Sequence, residues 1–275
     1  MKHSIAIQGI RGSFHHQVVL ECFTHENEID ECLSFEEVVD RLLSGQSSQA
    51  VMALENSIAG SIIPNYALID KNNLHIVGEH YLDIHQNLMV LGDQNIEDIK
   101  EIHSHPMALL QCMDFLKKHP HIILVEDKDT AETARRIHQQ QLKGIAAIAS
   151  KAASSMYDLN IIAPEIQTIN NNMTRFVIVT KHKSAAVKEK INKASLKFEL
   201  DHKRGSLAAV LNVMSDCKLN LTKIQSLPKI ETPWKYSFFV DVTFEKYDDF
   251  EKAKTIINIM AEHFKILGEY QNKQP

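Results

Sequence analysis

Apolar and polar residues alternate from His3 to Gln8, which predicts a short strand. Gly9-Ile10-Arg11-Gly12 then predicts a turn, and Ser13 suits the N-cap of a helix whose Phe14, Val18 and Val19 fall near helical spacing. The order recurs in looser form, with Gln49–Leu54 reading as a strand and Ile58–Ile69 as a turn plus helix. Apolar runs of strand length follow at Leu74–Val77, Leu88–Leu91, Ile122–Val125 and Ile145–Ala149. Helical patterns over Pro106–Lys118 and Thr130–Gln141 lie between them, an alternation that predicts an α/β architecture.

The texture changes after Lys181. His182–Lys193 is rich in lysine and alanine and has little to bury, so it reads as a linker or exposed helix. Beyond it the pattern predicts strand Ser195–Leu200, helix Ser206–Asp216, strands Asn220–Gln225 and Tyr236–Phe244, helix Asp249–His263 and a short strand near Lys265–Glu269. That βαββαβ order is the ferredoxin-like arrangement. The expected organisation is a larger domain over 1–181, a linker over 182–193 and a small domain over 194–275.

Composition adds exclusions. The 275 residues carry a net charge of −5, and 44% are hydrophobic, so neither a disordered chain nor general attraction to nucleic acid or anionic lipid is expected. No apolar stretch approaches the roughly 18 residues of a membrane span. The opening residues lack the apolar core of a signal peptide, so a cytoplasmic location is expected. The four cysteines are scattered, without a Cys-x-x-Cys pair. His103-x-His105 and His119-x-His121 have no third ligand at a zinc-like spacing, and no metal site is expected.

Four constellations carry candidate chemistry. Gly9-x-x-Gly12-Ser13 offers backbone N–H groups at a helix start, where an anion can bind, or is an ordinary strand-to-helix turn. Glu55-Asn56-Ser57 ends an apolar strand, where donors suit a carboxylate, or Ser57 simply caps a helix. Asn170-Asn-Asn-Met-Thr174-Arg175-Phe176 reads as a loop followed by the strand Val177–Thr180, with a guanidinium, a hydroxyl and a ring at the strand's mouth. Thr130 and Ser150 add hydroxyls at further strand-to-helix junctions, where capping is the simpler role. The set is hydroxyl, amide and guanidinium; it suits carboxylate binding and assistance to a leaving group, and needs no cofactor.

Taken together, GIRGSFHHQ, ALENSIAGS, HSHPMALLQC, DTAETA, IASKAA, NNNMTRF, GSLAAVL and NLTKIQSLP resemble the prephenate dehydratase family with a C-terminal ACT regulatory domain, from Gly9 to about Phe244. The resemblance implies a catalytic part of two α/β subdomains, like a periplasmic-binding-protein fold, with the site in the cleft between them. It also implies that the βαββαβ unit is an ACT domain. The implied reaction converts prephenate to phenylpyruvate with loss of water and carbon dioxide, without a cofactor, in L-phenylalanine biosynthesis.

The resemblance assigns Thr174 to hydrogen-bond the departing hydroxyl and Arg175 to anchor a carboxylate, beside Phe176. Asn56 and Ser57 become substrate contacts, and Ser13, Thr130 and Ser150 line the cleft. Gln86 stands where histidine is frequent, Met107 where glutamine is, and Ala53 where proline is. In the ACT part, Gly205, Ser206, Leu207, Ala208, Asn220 and Ser226 are implied in binding phenylalanine as a feedback inhibitor between two copies. Gln225 and Leu227 replace an acid and an arginine there. A homodimer or homotetramer is expected. Arogenate dehydratase and a non-enzymatic binding protein of the same fold are the alternatives.

Overall fold

The computed structural model describes residues 4–24, 27–183, 188–201, 203–229 and 235–275. His3, and residues 184–187 of the expected linker, lie outside the described residues. Two compact units result: Met1–Gly60 with Leu82–Phe176, and Ser61–Tyr81 with Val177–Pro275.

The chain begins with β1 (Ser4–Gln8), α1 (Phe14–Cys22), β2 (Glu28–Cys32), α2 (Phe35–Leu43), β3 (Gln49–Asn56), β4 (Gly60–Ser61), α3 (Ile63–Lys71) and β5 (His75–Asp83). There follow β6 (Asn87–Leu91), β7 (Glu101–Ser104), α4 (Pro106–Gln111), α5 (Met113–Leu116), β8 (Ile123–Glu126) and α6 (Thr130–Gln139). Next come β9 (Ile145–Ala149), α7 (Lys151–Met156), β10 (Leu159–Ala163) and β11 (Met173–Thr180). The chain closes with β12 (Lys193–Glu199), α8 (Ser206–Asp216), β13 (Asn220–Pro228), β14 (Tyr236–Thr243), α9 (Tyr247–Met260) and β15 (Glu262–Tyr270).

The first unit holds two sheets. In one, β1 runs parallel to both β2 and β3. Ala50 to Leu54 of β3 are all buried, the continuous apolar run that a strand covered on both faces requires. The other sheet has the order β10-β6-β9-β7-β8. Two segments cross between the sheets and bond each other: Ile84 N–H donates to the Asn172 carbonyl (2.7 Å) and Ile166 N–H to that of Gln86 (2.8 Å). This is the α/β arrangement of two subdomains expected from the sequence.

Two local differences from the expected elements have physical reasons. The helix expected over Pro106–Lys118 is broken at Cys112, because the Gln111 carbonyl accepts from Thr168 N–H (2.8 Å) and Phe115 N–H turns to Cys112 instead. More consequential, the strand expected from Val177 starts at Met173, so Thr174 and Arg175 lie inside β11.

In the second unit the order is β13-β14-β12-β15-β5. β12 is antiparallel to β14 and β15, and α8 and α9 bury Val210, Met214, Phe250 and Ile257 against Leu196, Phe198 and Val240. This is the ferredoxin-like βαββαβ unit. Gly268 meets β5 so closely that a Cβ there would stand 2.2 Å from the Ile76 carbonyl oxygen. No helix among the described residues is long and apolar enough to cross a membrane.

Candidate active site

The end of β3 meets the start of β11 in a cluster of amides and hydroxyls. Ser57 N–H donates to the Met173 carbonyl (2.8 Å), and Met173 N–H returns a bond to Ser57 Oγ (2.9 Å). Ser57 Oγ also donates to the Asn171 carbonyl (3.3 Å), so Ser57 stitches two strand ends and caps no helix. Beside it the Asn56 carboxamide is buried, and its Oδ1 accepts from Ile58 N–H (3.0 Å) and Ala59 N–H (2.8 Å). Two backbone donors identify that atom as the oxygen. Asn56 Nδ2 therefore donates, to Asn172 Oδ1 at 2.7 Å and Thr174 Oγ1 at 2.9 Å. Thr174 Oγ1 is thus an acceptor within the protein, and its own hydrogen goes to no described residue.

Thr174 and Phe176 share one face of β11, and strand alternation turns Arg175 to the other. Arg175 is buried, 3% exposed. Phe176 packs edge-on to the His15 ring, with centroids 5.0 Å apart. Burial pushes the His15 imidazole down to about 4, so it is neutral near pH 7, and its Nε2 is buried without a hydrogen-bond partner.

A second cluster forms at the glycine turn. Gly9 and Gly12 both have φ of +90°, which favours glycine. A Cβ on Gly12 would also lie 3.1 Å from both Ala153 Cα and Tyr157 Cε2. Ser13 caps α1, its Oγ accepting from His16 N–H (3.3 Å), while Gly12 N–H donates to His16 Nδ1 (3.0 Å). That N–H is therefore not open to an anion. Ser150 is buried and caps α7, accepting from Ala153 N–H (3.1 Å) and donating to the Gly12 carbonyl (2.6 Å), so its hydroxyl is spent within the protein. Asp129 caps α6 through Ala131 and Glu132 N–H groups. Burial raises its carboxyl above the usual range against those two bonds, and its Oδ2 faces Gly9. Thr130, half-buried in the first turn of α6, bonds through its hydroxyl to no described residue.

Of the residues named from the sequence, Asn56, Ser57 and Thr174 are brought together directly, with Phe176 alongside. Ser13 and Ser150 meet at the Gly12 turn instead. Gln86 is buried; its Nε2 donates to Gln111 Oε1 (3.1 Å), and its Oε1 has no partner. Met107 is 42% exposed, and Ala53 is buried in β3. Sequence reasoning does not single out Asn172 as a site residue, though it stands two residues before Thr174 and on the same face of the chain once β11 is seen to reach back to Met173. Among the described residues no group of three His, Cys, Asp or Glu side chains could hold a metal ion.

In the second unit, Gly205 begins α8 with φ of +83°. Ser206 and Leu207 line a hollow of about 130 Å³ with Asp201, Lys203, Lys235 and Phe238. Ala208 is exposed on α8, Ser226 is exposed on the outer strand β13, and Asn220 lines a separate hollow of about 540 Å³.

Comparison with known proteins shows the family and the fold. The family described as prephenate dehydratase matches residues 5–184. The arogenate dehydratase/prephenate dehydratase 2 of Arabidopsis thaliana is 32% identical over 97% of this chain and 72% of its own length. A bifunctional chorismate mutase/prephenate dehydratase of Buchnera aphidicola is 31% identical over 84% of this chain, which spans only 60% of that relative. Among solved structures, an Arthrobacter aurescens prephenate dehydratase in complex with L-Phe superposes with a TM-score of 0.89 at 22% identity, over 99% of this chain and 91% of that one. GqqA, described as a quorum quenching acylase, superposes at 0.87 with 23% identity over 98% of both chains. At such identities both structures speak to the fold alone. From the family match and the Arabidopsis relative, the chain belongs to the prephenate dehydratase family, hydro-lyases of phenylalanine biosynthesis.

Proposed function

We propose that this chain acts on prephenate itself and that Thr174 assists departure of the ring hydroxyl. The carrying observation is the direction of one hydrogen bond: Thr174 Oγ1 accepts from Asn56 Nδ2 at 2.9 Å, which keeps the Thr174 hydrogen for a ligand. As the ring carboxylate leaves as carbon dioxide, its bonding electron pair enters the ring and hydroxide is expelled; a solvent proton completes water. The dianion thus becomes phenylpyruvate monoanion, carbon dioxide and hydroxide. Threonine is too weak an acid to protonate the leaving group, so its contribution is a preorganised donor at a centre gaining negative charge. Arg175, on the opposite face of β11, supplies fixed positive charge for a dianionic substrate rather than a contact beside Thr174.

A second reading, arogenate as substrate, is favoured by relatives named for it, including an arogenate dehydratase 2 of Petunia hybrida that is 37% identical over 82% of this chain. The two substrates differ by an amino group in place of a keto oxygen, and the Asn56–Thr174 pair is indifferent to that change. Relative kcat/KM on the two substrates tests the choice: a ratio of about ten or more for prephenate supports the proposal, and the reverse ratio replaces it.

We further propose that catalysis belongs to 1–181 and regulation to 194–275, supported by the family match ending at 184. Phenylalanine is the proposed inhibitor. The hollow at Ser206 and Leu207 offers Lys203 and Lys235 to a carboxylate, Asp201 to an ammonium and Phe238 to a ring. Pairing of copies along β13, an outer strand with half-exposed residues alternating along it, would make a dimer. A cytoplasmic location is proposed from the biosynthetic family. Phenylalanine titration by calorimetry, with light scattering for mass, tests the pair; no binding at millimolar concentration, or a monomer, removes them.

A further inference from the structure

We propose that Asn172 is a positioning residue for the dehydration, holding Asn56 so that Thr174 keeps its hydroxyl hydrogen for the departing group. The inference rests on the Thr174 reading above and extends it by one residue. Asn172 is fully buried, and its Oδ1 takes one hydrogen of the Asn56 amide at 2.7 Å, while the other points at Thr174 at 2.9 Å. Turned over, Asn172 would set its own NH2 against that of Asn56, so only one orientation pairs. In that orientation Asn172 Nδ2 is buried with no hydrogen-bond partner. A stranded donor costs stability, and an apolar side chain of the same shape would avoid the cost. What the carboxamide adds is the acceptor it offers Asn56.

The rest of the neighbourhood keeps Asn172 in register. Its carbonyl accepts from Ile84 N–H at 2.7 Å, and Met173, next in the chain, is bonded on both sides by Ser57. Without the Asn172 oxygen, the Asn56 amide loses the shortest of its three Nδ2 bonds, and keeps only Thr174 Oγ1 and the Met173 carbonyl at 3.4 Å. Thr174 can then rotate its hydrogen away from the substrate, a fault in orientation and not in binding.

The test compares Asn172→Ala, which removes the acceptor, with Asn172→Asp, which keeps an oxygen facing Asn56. Each is followed by saturation kinetics on prephenate and by thermal melting of the full chain. The expected result for Asn172→Ala is a fall in kcat of about tenfold, a fraction of what a whole lost donor costs. KM should stay within about twofold, and the melting temperature should change little, since the stranded Asn172 donor leaves while one Asn56 hydrogen is left with only the Met173 carbonyl at 3.4 Å. Asn172→Asp should recover most of the rate. If Asn172→Ala does not fold, Asn172→Ser is read in its place. The inference is overturned by wild-type kcat in the Ala variant, by equal losses in Ala and Asp, or by a change confined to KM. It is also overturned by a rate loss that follows a drop in melting temperature. A wild-type chain inactive on both prephenate and arogenate would remove the functional reading as well, whereas an active wild type with an unaffected Ala variant removes only Asn172.

Discussion

Asn56→Asp keeps the side chain's shape and reverses its hydrogen bonds to Thr174 and Asn172, which makes it a sharp probe of the site. The Asn56 oxygen that accepts from Ile58 and Ala59 N–H groups becomes a carboxylate oxygen, so those bonds at 3.0 and 2.8 Å become charge-assisted and stronger. The atom that donated to Thr174 and Asn172 becomes a second acceptor. Thr174 must then donate its hydrogen to the new carboxylate, and Asn172 can turn over to present its stranded Nδ2. Burying a carboxylate costs stability, but two backbone donors, the Thr174 hydroxyl and the turned Asn172 amide offset much of it. The expected change in unfolding free energy is no more than about 2 kcal/mol in either direction. Catalysis should suffer more: losing one preorganised donor lowers kcat by about 10²–10³, or about 2.7–4 kcal/mol of barrier. The assay is initial rate of phenylpyruvate formation with the spontaneous background subtracted, alongside urea unfolding. A variant that folds and retains kcat within about threefold of wild type would refute the hydrogen-bond polarity on which the site rests.

Three further outcomes follow from the same structure. Gly268→Ala puts a methyl group 2.2 Å from the Ile76 carbonyl, a backbone atom that cannot rotate away; it should cost at least about 1–3 kcal/mol in urea unfolding, and wild-type stability would contradict the β5–β15 contact. Lys193→Met removes the ammonium that faces Glu79 at 2.9 Å with both side chains buried, leaving the carboxylate the Lys273 N–H (3.0 Å) but no cation from Lys193, and should cost about 3–5 kcal/mol; the double variant with Glu79→Leu should recover most of it. The His15 pKa is depressed from 6.5 to about 4, so unfolding binds a proton there. Its stabilisation is complete above about pH 6.5 and falls as pH drops toward 4, by up to about 3 kcal/mol. In His15→Phe that part of the pH slope should vanish, and an unchanged slope would place the proton uptake elsewhere.

Legibility in the sequence tracks how local the cause of each feature is. The helix Ser206–Asp216 is observed with the bounds expected, because its period and glycine start are written within a few residues. Strand β2, with sequence EIDEC, is invisible in the sequence: it is an outer strand beside β1, where acidic residues can face solvent, and no apolar alternation marks it. The start of β11 departs from expectation for a different reason. Asparagines 170–172 carry turn chemistry, and what extends the strand back to Met173 is its pairing with Ser57, 116 residues away. That one displacement explains why the sequence pattern suggests Thr174 and Arg175 side by side at a mouth, whereas the strand sets them on opposite faces. Ser150 is legible as either a cap or a cleft hydroxyl, and its two bonds at 3.1 and 2.6 Å make it a cap. The chain marks Asn172 only as the last of three asparagines in a candidate loop, two residues before Thr174.

The central claim is that Thr174 donates a hydrogen bond to a leaving hydroxyl, and replacing its hydroxyl by a methyl group tests that most directly. Wild type, Thr174→Val and Thr174→Ser are compared for kcat on prephenate under saturation, with folding checked by circular dichroism. The account predicts measurable turnover by wild type, a loss of about 10²–10³ in Thr174→Val and most of the rate retained in Thr174→Ser. Folded Thr174→Val turning over within about threefold of wild type would contradict it.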